Sequence, residues 1–577
     1  MSTDTPNAES KPPKLSAVEK IKDESRFLLG TIGTELVEPS DHFNKDNLQL
    51  LKFHGTYQQD DRDLRAQAKK AGGGKAFSMM VRCRIPGGRM TSDQLLAQLD
   101  ICDQLGNATL KITTRQTLQI HGILKSDLQK TIRRINDMQL STLAACGDVN
   151  RNIMCCPAKR VGSVHADLEK LTDELTFALA PQTPAYHELW LTDDETGEKT
   201  LQGGGEVVEP LYGPRYLPRK FKIGIALPED NCIDIYTQDI GFLAVVRNDK
   251  IIGYNVLVGG GMGTTPSAKK TFPALGKRMA FVAPEQAVEV AKAILKVQRD
   301  YGNREDRKVA RMKYLVANWG VEKFRRAVEE YFGGPLADCT EDDVTEFDDH
   351  MGWQEQGDGK WSYGLNIENG RLYDNENHQL KACLRAICHQ FKTELRMTGH
   401  QSIIVTDIDP ADKDKLISII KEHRVPTTEE TSTVRRWSIA CVALPTCGLA
   451  ITESERRLPT IIDQLEQPLA KLGLDKERFT LRMTGCPNGC ARPYNADLAL
   501  VGKAKDKYTV FAGGGWLGHR LAYVYKDLVS DDTVIDELVG IFAAFKANRE
   551  GNESLGDFCA RVGREDLETL AATAPRP

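Results

Sequence analysis

Apolar and polar residues alternate with period two in several short stretches of this chain. An extended backbone from Lys111 to His121 places Leu110, Ile112, Leu118 and Ile120 on one face. Lys111, Thr113, Arg115, Thr117, Gln119 and His121 fall on the other. The run from Lys220 to Ile225 turns Phe221, Ile223 and Ile225 inward and projects Lys220 and Lys222 together. Arg82 and Arg84 alternate in the same way against Val81, Cys83 and Ile85. Each pattern predicts a half-buried strand with one cationic face. Helical periodicity predicts helices around Gln94 to Leu105 and Gln379 to Gln390, each preceded by a glycine turn, at Gly87-Gly88 and at Asn369-Gly370.

These features occur twice in the same order. The segment Lys111 to Ile120 matches Arg396 to Val405 in chemistry at most positions without gaps, an offset of 285 residues. That period is far too long for a solenoid, so it reads as a duplication giving two pseudo-symmetric halves with a ligand between them. Each small repeated unit is followed by a larger α/β region. The expected organisation is an arm at 1–25, a small unit at 70–145, an α/β domain at 146–335, a second small unit at 350–425 and a second α/β domain at 431–575. The acidic stretch from Asp338 to Asp358 reads as a linker or surface excursion.

A length of 577 residues predicts about three or four domains, and 41% hydrophobic residues are enough to bury cores. The net charge of −5 argues against a general nucleic-acid binder. No apolar run approaches the roughly 20 residues that span a bilayer. Fourteen cysteines without a secretory h-region predict a reducing, cytoplasmic setting with thiols free or metal-bound. The polar stretch from Met1 to Ser25 reads as a solvated arm.

Four of those cysteines form two pairs, Cys441 and Cys447 as C-x5-C, and Cys486 and Cys490 as C-x3-C within Thr484-Gly-Cys-Pro-Asn-Gly-Cys490. Thiolates so grouped suit zinc or an iron–sulfur cluster. The wide first pair and the lack of an adjacent histidine favour the cluster. Scattered cysteines such as Cys102, Cys232, Cys339 and Cys559 read as ordinary buried thiols. The run Leu257 to Gly263 lacks the G-x-G-x-x-G spacing, so it reads as a closely packed or ligand-facing loop rather than a nucleotide cradle. Several cationic strand faces, joined by Arg151, in an acidic protein predict an anion site. A cluster beside such a site predicts electron delivery to an anion.

With these motifs in hand, the chain resembles the sulfite and nitrite reductase family that carries sirohaem and a [4Fe-4S] cluster. The resemblance covers nearly the whole sequence. It rests on Phe53 to Asp63, Thr113 to Gly122, Leu217 to Lys222 and both cysteine pairs. It implies a duplicated α/β (α+β) fold with two small ferredoxin-like units and two larger sirohaem and cluster domains. It implies that Cys441, Cys447, Cys486 and Cys490 hold the cluster, with the Cys490 sulfur also the proximal ligand of the sirohaem iron. Arg82, Arg151, Lys220 and Lys222 are implied to bind sulfite, and Arg115, Gln119, Arg219, Gln401 and Asn488 to contact sirohaem. In the second copy His400 stands where Arg115 does, and Ile404 where Gln119 does.

The implied reaction is the six-electron reduction of sulfite to sulfide, as in sulfate assimilation and cysteine biosynthesis. Thr117, His121, Asn488-Gly489 and the lysine pair resemble the sulfite branch rather than the nitrite branch, which shares fold and cofactors. No flavin or NADPH segment is evident, so a separate protein must donate electrons, either a flavoprotein using NADPH or a ferredoxin. Tyr57 to Asp63 resembles the first kind of enzyme; Arg299 to Asn303 and Met351 to Gly359 resemble the second. Two other readings are a non-enzymatic zinc scaffold, which would be colourless, and a degenerate tetrapyrrole binder, against which the intact cysteine set argues.

Overall fold

The computed structural model describes residues 14–186, 190–193, 196–201, 209–266 and 268–577. Two antiparallel five-stranded sheets form the small units. In one, the strands Thr56–Asp60, Phe77–Arg82, Leu118–Ile123, Leu110–Ile112 and Arg371–Leu372 lie side by side in that order. In the other the order is Gly352–Glu355, Trp361–Leu365, Ile403–Ile408, Glu394–Met397 and Arg89–Thr91. Each sheet therefore ends on a strand donated by the opposite half. The exchange relies on two glycine turns. A Cβ on Gly88 (φ +75°) would meet the Met397 carbonyl at 2.5 Å, and one on Gly370 (φ +71°) would meet the Ile112 carbonyl at 2.3 Å.

One apolar core runs through both small sheets. The helix Ser92–Gln104 buries Leu95, Leu99 and Cys102 along one face and starts with a capping box between Thr91 and Gln94. Its counterpart Leu380–Phe391 buries Leu380, Leu384 and Ile387 in the same core.

Two larger sheets repeat one another. The first runs Met154–Cys155, Ile223–Ala226, Ile240–Arg247, Lys250–Val258, Lys277–Val282. The second runs Ser438–Ala440, Leu481–Thr484, Leu498–Ala504, Lys507–Ala512, Tyr523–Ser530. In each the first three strands are parallel and the last two join antiparallel. Helices including Ala287–Tyr301 and Val534–Asn548 pack on them around separate cores. The architecture is α/β (α+β), duplicated about a pseudo-two-fold axis.

Two expectations need correction. Lys111 to His121 is not one strand: Leu110–Ile112 and Leu118–Ile123 form a hairpin whose turn needs Gln116 at φ +53°. Lys111 and His121 do not face the anion site. Lys111 is buried against Glu455, and His121 Nδ1 lies 3.1 Å from Gln59. Secondly, the arm is not solvated throughout. Its first thirteen residues lie outside the described ones, but Ala17–Glu24 is a helix with Glu19 and Lys22 buried. Lys22 Nζ donates to the Leu217 carbonyl at 2.8 Å and pairs with Glu19 at 2.5 Å, and Arg304 pairs with the same Glu19. Polar composition concealed this packing because the buried groups are charged and mutually compensating.

Candidate cysteine and anion site

Cys441 follows the strand Ser438–Ala440, and Cys486 follows the neighbouring parallel strand Leu481–Thr484. Both thiols thus leave the same carboxyl edge of one sheet. The chain can turn tightly there because Gly485 lets the backbone approach; a Cβ would meet the Thr452 carbonyl at 2.5 Å. The Gly485 N–H points at Cys441 Sγ (3.4 Å) and the Asn488 amide at Cys486 Sγ (3.4 Å), donors suited to thiolate sulfur. The Cys447 loop is clamped by Arg62, whose Nη1 donates to the Ala450 carbonyl at 2.9 Å and whose Nη2 donates to that of Cys447. Across from it, the Thr264 N–H (2.9 Å) and the Tyr494 hydroxyl (3.0 Å) hold the Pro487 carbonyl.

The four thiols lie close enough to repel as thiolates. Burial, with Cys490 next, raises those of Cys441 and Cys447 above the usual thiol value and pushes Cys486 up to about 11. An inserted cationic group has to offset this repulsion. Yet these sulfurs do not form one of the compact groups, with ligand atoms within 4.8 Å of one another, that suit a single ion. A cluster, which spreads its four thiolates over separate irons, fits that wider spacing better than zinc.

Cys490 is the exposed member of the set, with its carbonyl held by Thr114 Oγ1 at 2.9 Å. Lys220 and Lys222 both lie within electrostatic reach of it. They precede the strand Ile223–Ala226, while Phe221, Ile223 and Ile225 turn into the core as the alternation predicts. Among the described residues neither ammonium has a carboxylate partner or a hydrogen bond. Burial, then Arg219, brings Lys220 down to about 7; burial, then Arg115, lowers Lys222 well below the usual lysine value.

The other predicted residues converge on the same space to different degrees. Arg151 Nε donates to the Gly147 carbonyl at 2.9 Å, and its guanidinium reaches Tyr57. Arg82 lies 3.1 Å from Cys146 Sγ, and the Gln119 amide oxygen accepts from Arg82 Nε at 2.9 Å. Arg115, at the hairpin tip, binds Gln238 Oε1 and the Ile223 carbonyl, both at 2.9 Å, while its buried Nε lacks a partner. Burial and Arg151 lower its pKa to about 9. Arg219 stands 4.0 Å from Asp148 and is lowered to about 10 by burial and Arg307. Gln401 is spent on backbone: Nε2 donates to the Asn369 carbonyl at 3.1 Å and Oε1 accepts from the Ala440 N–H at 3.2 Å, next to Cys441.

The sequence reading missed Lys52, Arg311 and Lys313. Lys52 joins the cations around Arg151 and Arg219. Arg311 pairs with Asp239 at 2.5 Å, and Lys313 donates to the carbonyls of Gly261 (3.0 Å) and Gly263 (2.8 Å). The alternation Arg311-Met312-Lys313 was the available signal. Lys313 fixes the glycine loop against the Cys486–Cys490 turn, where a Cβ on Gly263 would meet the Asn488 carbonyl at 3.0 Å. Close packing is thus the use of that loop. A wide surface cleft between Tyr212–Arg215 and Arg299–Glu305 contains none of these residues.

An excess of cations with unpaired ammoniums and an orphaned Arg115 Nε, facing a cysteine at the lip of a thiolate set, fits a polyanionic prosthetic group and an anionic substrate. Comparisons with known proteins agree with this chemistry. The nitrite and sulphite reductase 4Fe-4S domain model matches residues 146–336, and the nitrite/sulfite reductase ferredoxin-like half-domain model matches 72–138 and 354–423. The NADPH sulfite reductase hemoprotein beta-component of Staphylococcus haemolyticus is 45% identical over 551 residues, 95% of each chain. The ferredoxin sulfite reductase of Synechococcus elongatus is 44% identical over 579 residues, 97% of this chain and 91% of that one. The solved structure of Mycobacterium tuberculosis NirA shares the fold at 24% identity, with a TM-score of 0.77 over 96% of this chain and 98% of that one. The chain belongs to the nitrite and sulfite reductase family.

Proposed function

We propose that this protein is an assimilatory sulfite reductase hemoprotein that takes sulfite to sulfide by six electrons, using sirohaem and a [4Fe-4S] cluster. The observation that carries the reading is the pair of buried lysines Lys220 and Lys222, without carboxylate partners, within electrostatic reach of the exposed Cys490 at the edge of the four-cysteine set. Its relatives' names support sulfite as the substrate. When bound, sirohaem supplies the iron at which sulfite is reduced, and the cluster relays electrons to it.

The chain's own residues do the rest. Cys441, Cys447, Cys486 and Cys490 would hold the cluster, and Cys490 would also hold the sirohaem. Arg115, Gln119 and Arg219 would hold the sirohaem carboxylates, while Gln401 and Asn488 would act from behind by bracing the Ala440–Cys441 turn and Cys486. Lys220, Lys222, Arg82 and Arg151 neutralise the sulfite dianion and hold its oxygens. The lysines, whose ammoniums burial makes more acidic, release protons to those oxygens as they leave as water.

We take the units as 70–145, 146–335, 350–425 and 431–575. Electrons come from a separate protein, an NADPH-using flavoprotein or a ferredoxin, at a small charge-steered contact. Among the described residues no helix is long and apolar enough to cross a membrane, which suits a cytoplasmic site of action without a nucleic-acid or membrane partner. The test is an absorption spectrum with iron and acid-labile sulfide analysis, then turnover with reduced methyl viologen on sulfite and on nitrite. A sirohaem spectrum with faster sulfite turnover is expected. A colourless protein from sirohaem-producing cells overturns the reading, and faster nitrite turnover reassigns the substrate. Purified flavoprotein and ferredoxin systems, compared at equal concentration, identify the donor.

A further inference from the structure

The cysteine edge of the second half has a pseudo-symmetric counterpart in the first. Cys155 pairs with Ile225 as Ala440 pairs with Met483, so Cys156 occupies the place of Cys441. The strands Ile223–Ala226 and Leu481–Thr484 each lead, after the same number of residues, to a left-handed residue, Asp234 or Arg492, both at φ +52°. In that register Cys232 occupies the place of Cys490, and Asp230 that of Asn488.

These residues meet. Cys156 Sγ, the Asp230 carboxylate, Cys232 Sγ and a ring nitrogen of His350 lie within 4.8 Å of one another, all buried. From Asp230 Oδ2 the distances are 2.7 Å to Cys156 Sγ, 3.4 Å to Cys232 Sγ and 3.0 Å to His350 Nε2; Cys156 Sγ stands 4.0 Å from that Nε2. A tetrahedral zinc ion with sulfur at about 2.3 Å and nitrogen or oxygen at about 2.0–2.2 Å sets ligand-to-ligand edges of about 3.3–3.8 Å, which the observed distances bracket.

The surroundings orient the ligands. The Cys232 N–H donates to Asp230 Oδ1 at 3.1 Å and leaves Oδ2 to the group. His350 directs Nε2 inward from a backbone held at φ +60°, while Nδ1 has no hydrogen bond and faces the Asp348 carboxylate at 3.7 Å, in the order carboxylate, imidazole, metal. Among the described residues no lysine or arginine pairs with Asp230, so His350 is its one cationic neighbour.

We propose that Cys156, Asp230, Cys232 and His350 bind one borderline-soft divalent cation, zinc, separate from the four-cysteine set. The ion ties the stretch between the halves, which carries His350, to the first large sheet. Two of its ligands occupy the positions that the other half gives to its own cysteines.

The test is metal analysis and zinc K-edge X-ray absorption on the holoprotein, purified without chelator from zinc-supplemented cells. The expected result is about one zinc per chain with two sulfurs near 2.3 Å and two nitrogen or oxygen ligands near 2.0 Å. Cys232→Ser and His350→Ala should each lower zinc at least roughly fivefold while iron and acid-labile sulfide stay bound. Zinc below roughly a tenth of an equivalent overturns the proposal. So does zinc in an all-sulfur shell, which would place it at Cys441 to Cys490, or in a shell without sulfur. The wild-type spectrum decides even if a variant folds poorly. Because it is read on zinc, it does not depend on whether sulfite is the substrate.

Discussion

The two halves share sheet order, strand direction and the left-handed turn at Asp234 or Arg492, yet they present different chemistry to the space between them. The second half contributes four thiols, two at strand ends and two on the adjoining loops, with His400 and Ile404 where the first half has Arg115 and Gln119. The first half contributes Arg82, Arg115, Arg151, Lys220 and Lys222. On the roles proposed above, the second half holds the cluster with its four thiols, whereas the first supplies the cations and uses its own two thiols for a separate ion. The axis itself is held by an ion pair that no strict symmetry would permit. Asp234 of one copy pairs with Arg492 of the other and with Arg482 at 2.9 Å.

Of the substitutions that set the halves apart, Cys486→Ser should have the largest effect. Removing one ligand from the second half should abolish acid-labile sulfide and bring sulfite turnover to background, as measured with reduced methyl viologen. The matching test of the first half is Lys222→Met. It should lower kcat by about 10²–10³-fold with the sirohaem spectrum retained, because the charge acts on the reacting anion; full activity would remove Lys222 from the mechanism.

At the axis, Asp234→Asn strands two buried guanidiniums and should cost about 3–5 kcal/mol in denaturant unfolding. Arg482 and Arg492 hold the Asp234 carboxyl down to about 2 from 3.8, against the opposing effect of burial. The unfolded chain binds this proton more readily. The contribution is therefore complete above about pH 4 and lost as pH falls through about 2, and the variant should lack that dependence. The smallest effect sharpens the symmetry of the exchange. Gly88→Ala and Gly370→Ala should destabilise by similar amounts, about 1–3 kcal/mol each, since both place a Cβ against the opposite half's carbonyl.

Much of this was legible in the sequence because it is local. Period-two alternation located Lys220 and Lys222 relative to Phe221 and Ile223, and cysteine spacing picked out two thiols that leave the same sheet edge, Cys441 and Cys486. The gapless match in chemistry of Lys111 to Ile120 with Arg396 to Val405 revealed the duplication. What was not legible depends on contacts far apart in the chain. Gln116 and Gln401 adopt left-handed turns that bend each repeat into a hairpin, where alternation alone read a continuous strand. Arg62 reaches the Cys447 loop across nearly 400 positions, and Glu19 and Lys22 of the helix Ala17–Glu24 are buried against partners such as Arg304 and Asp148. Cys232 read as an ordinary buried thiol because Cys156, Asp230 and His350 join it only in three dimensions.

The reciprocal edge strands bear on how the protein is made. On the ribosome, Leu110–Ile112 emerges long before Arg371–Leu372, the strand that completes its sheet. At about 5–20 residues per second the exposed edge waits roughly 15–50 s for its partner. Throughout that interval the nascent first half presents an unpaired edge able to accept a strand from a neighbouring chain. Slowing elongation between the halves should therefore raise the fraction of insoluble or strand-swapped product more than the same delay placed after residue 372.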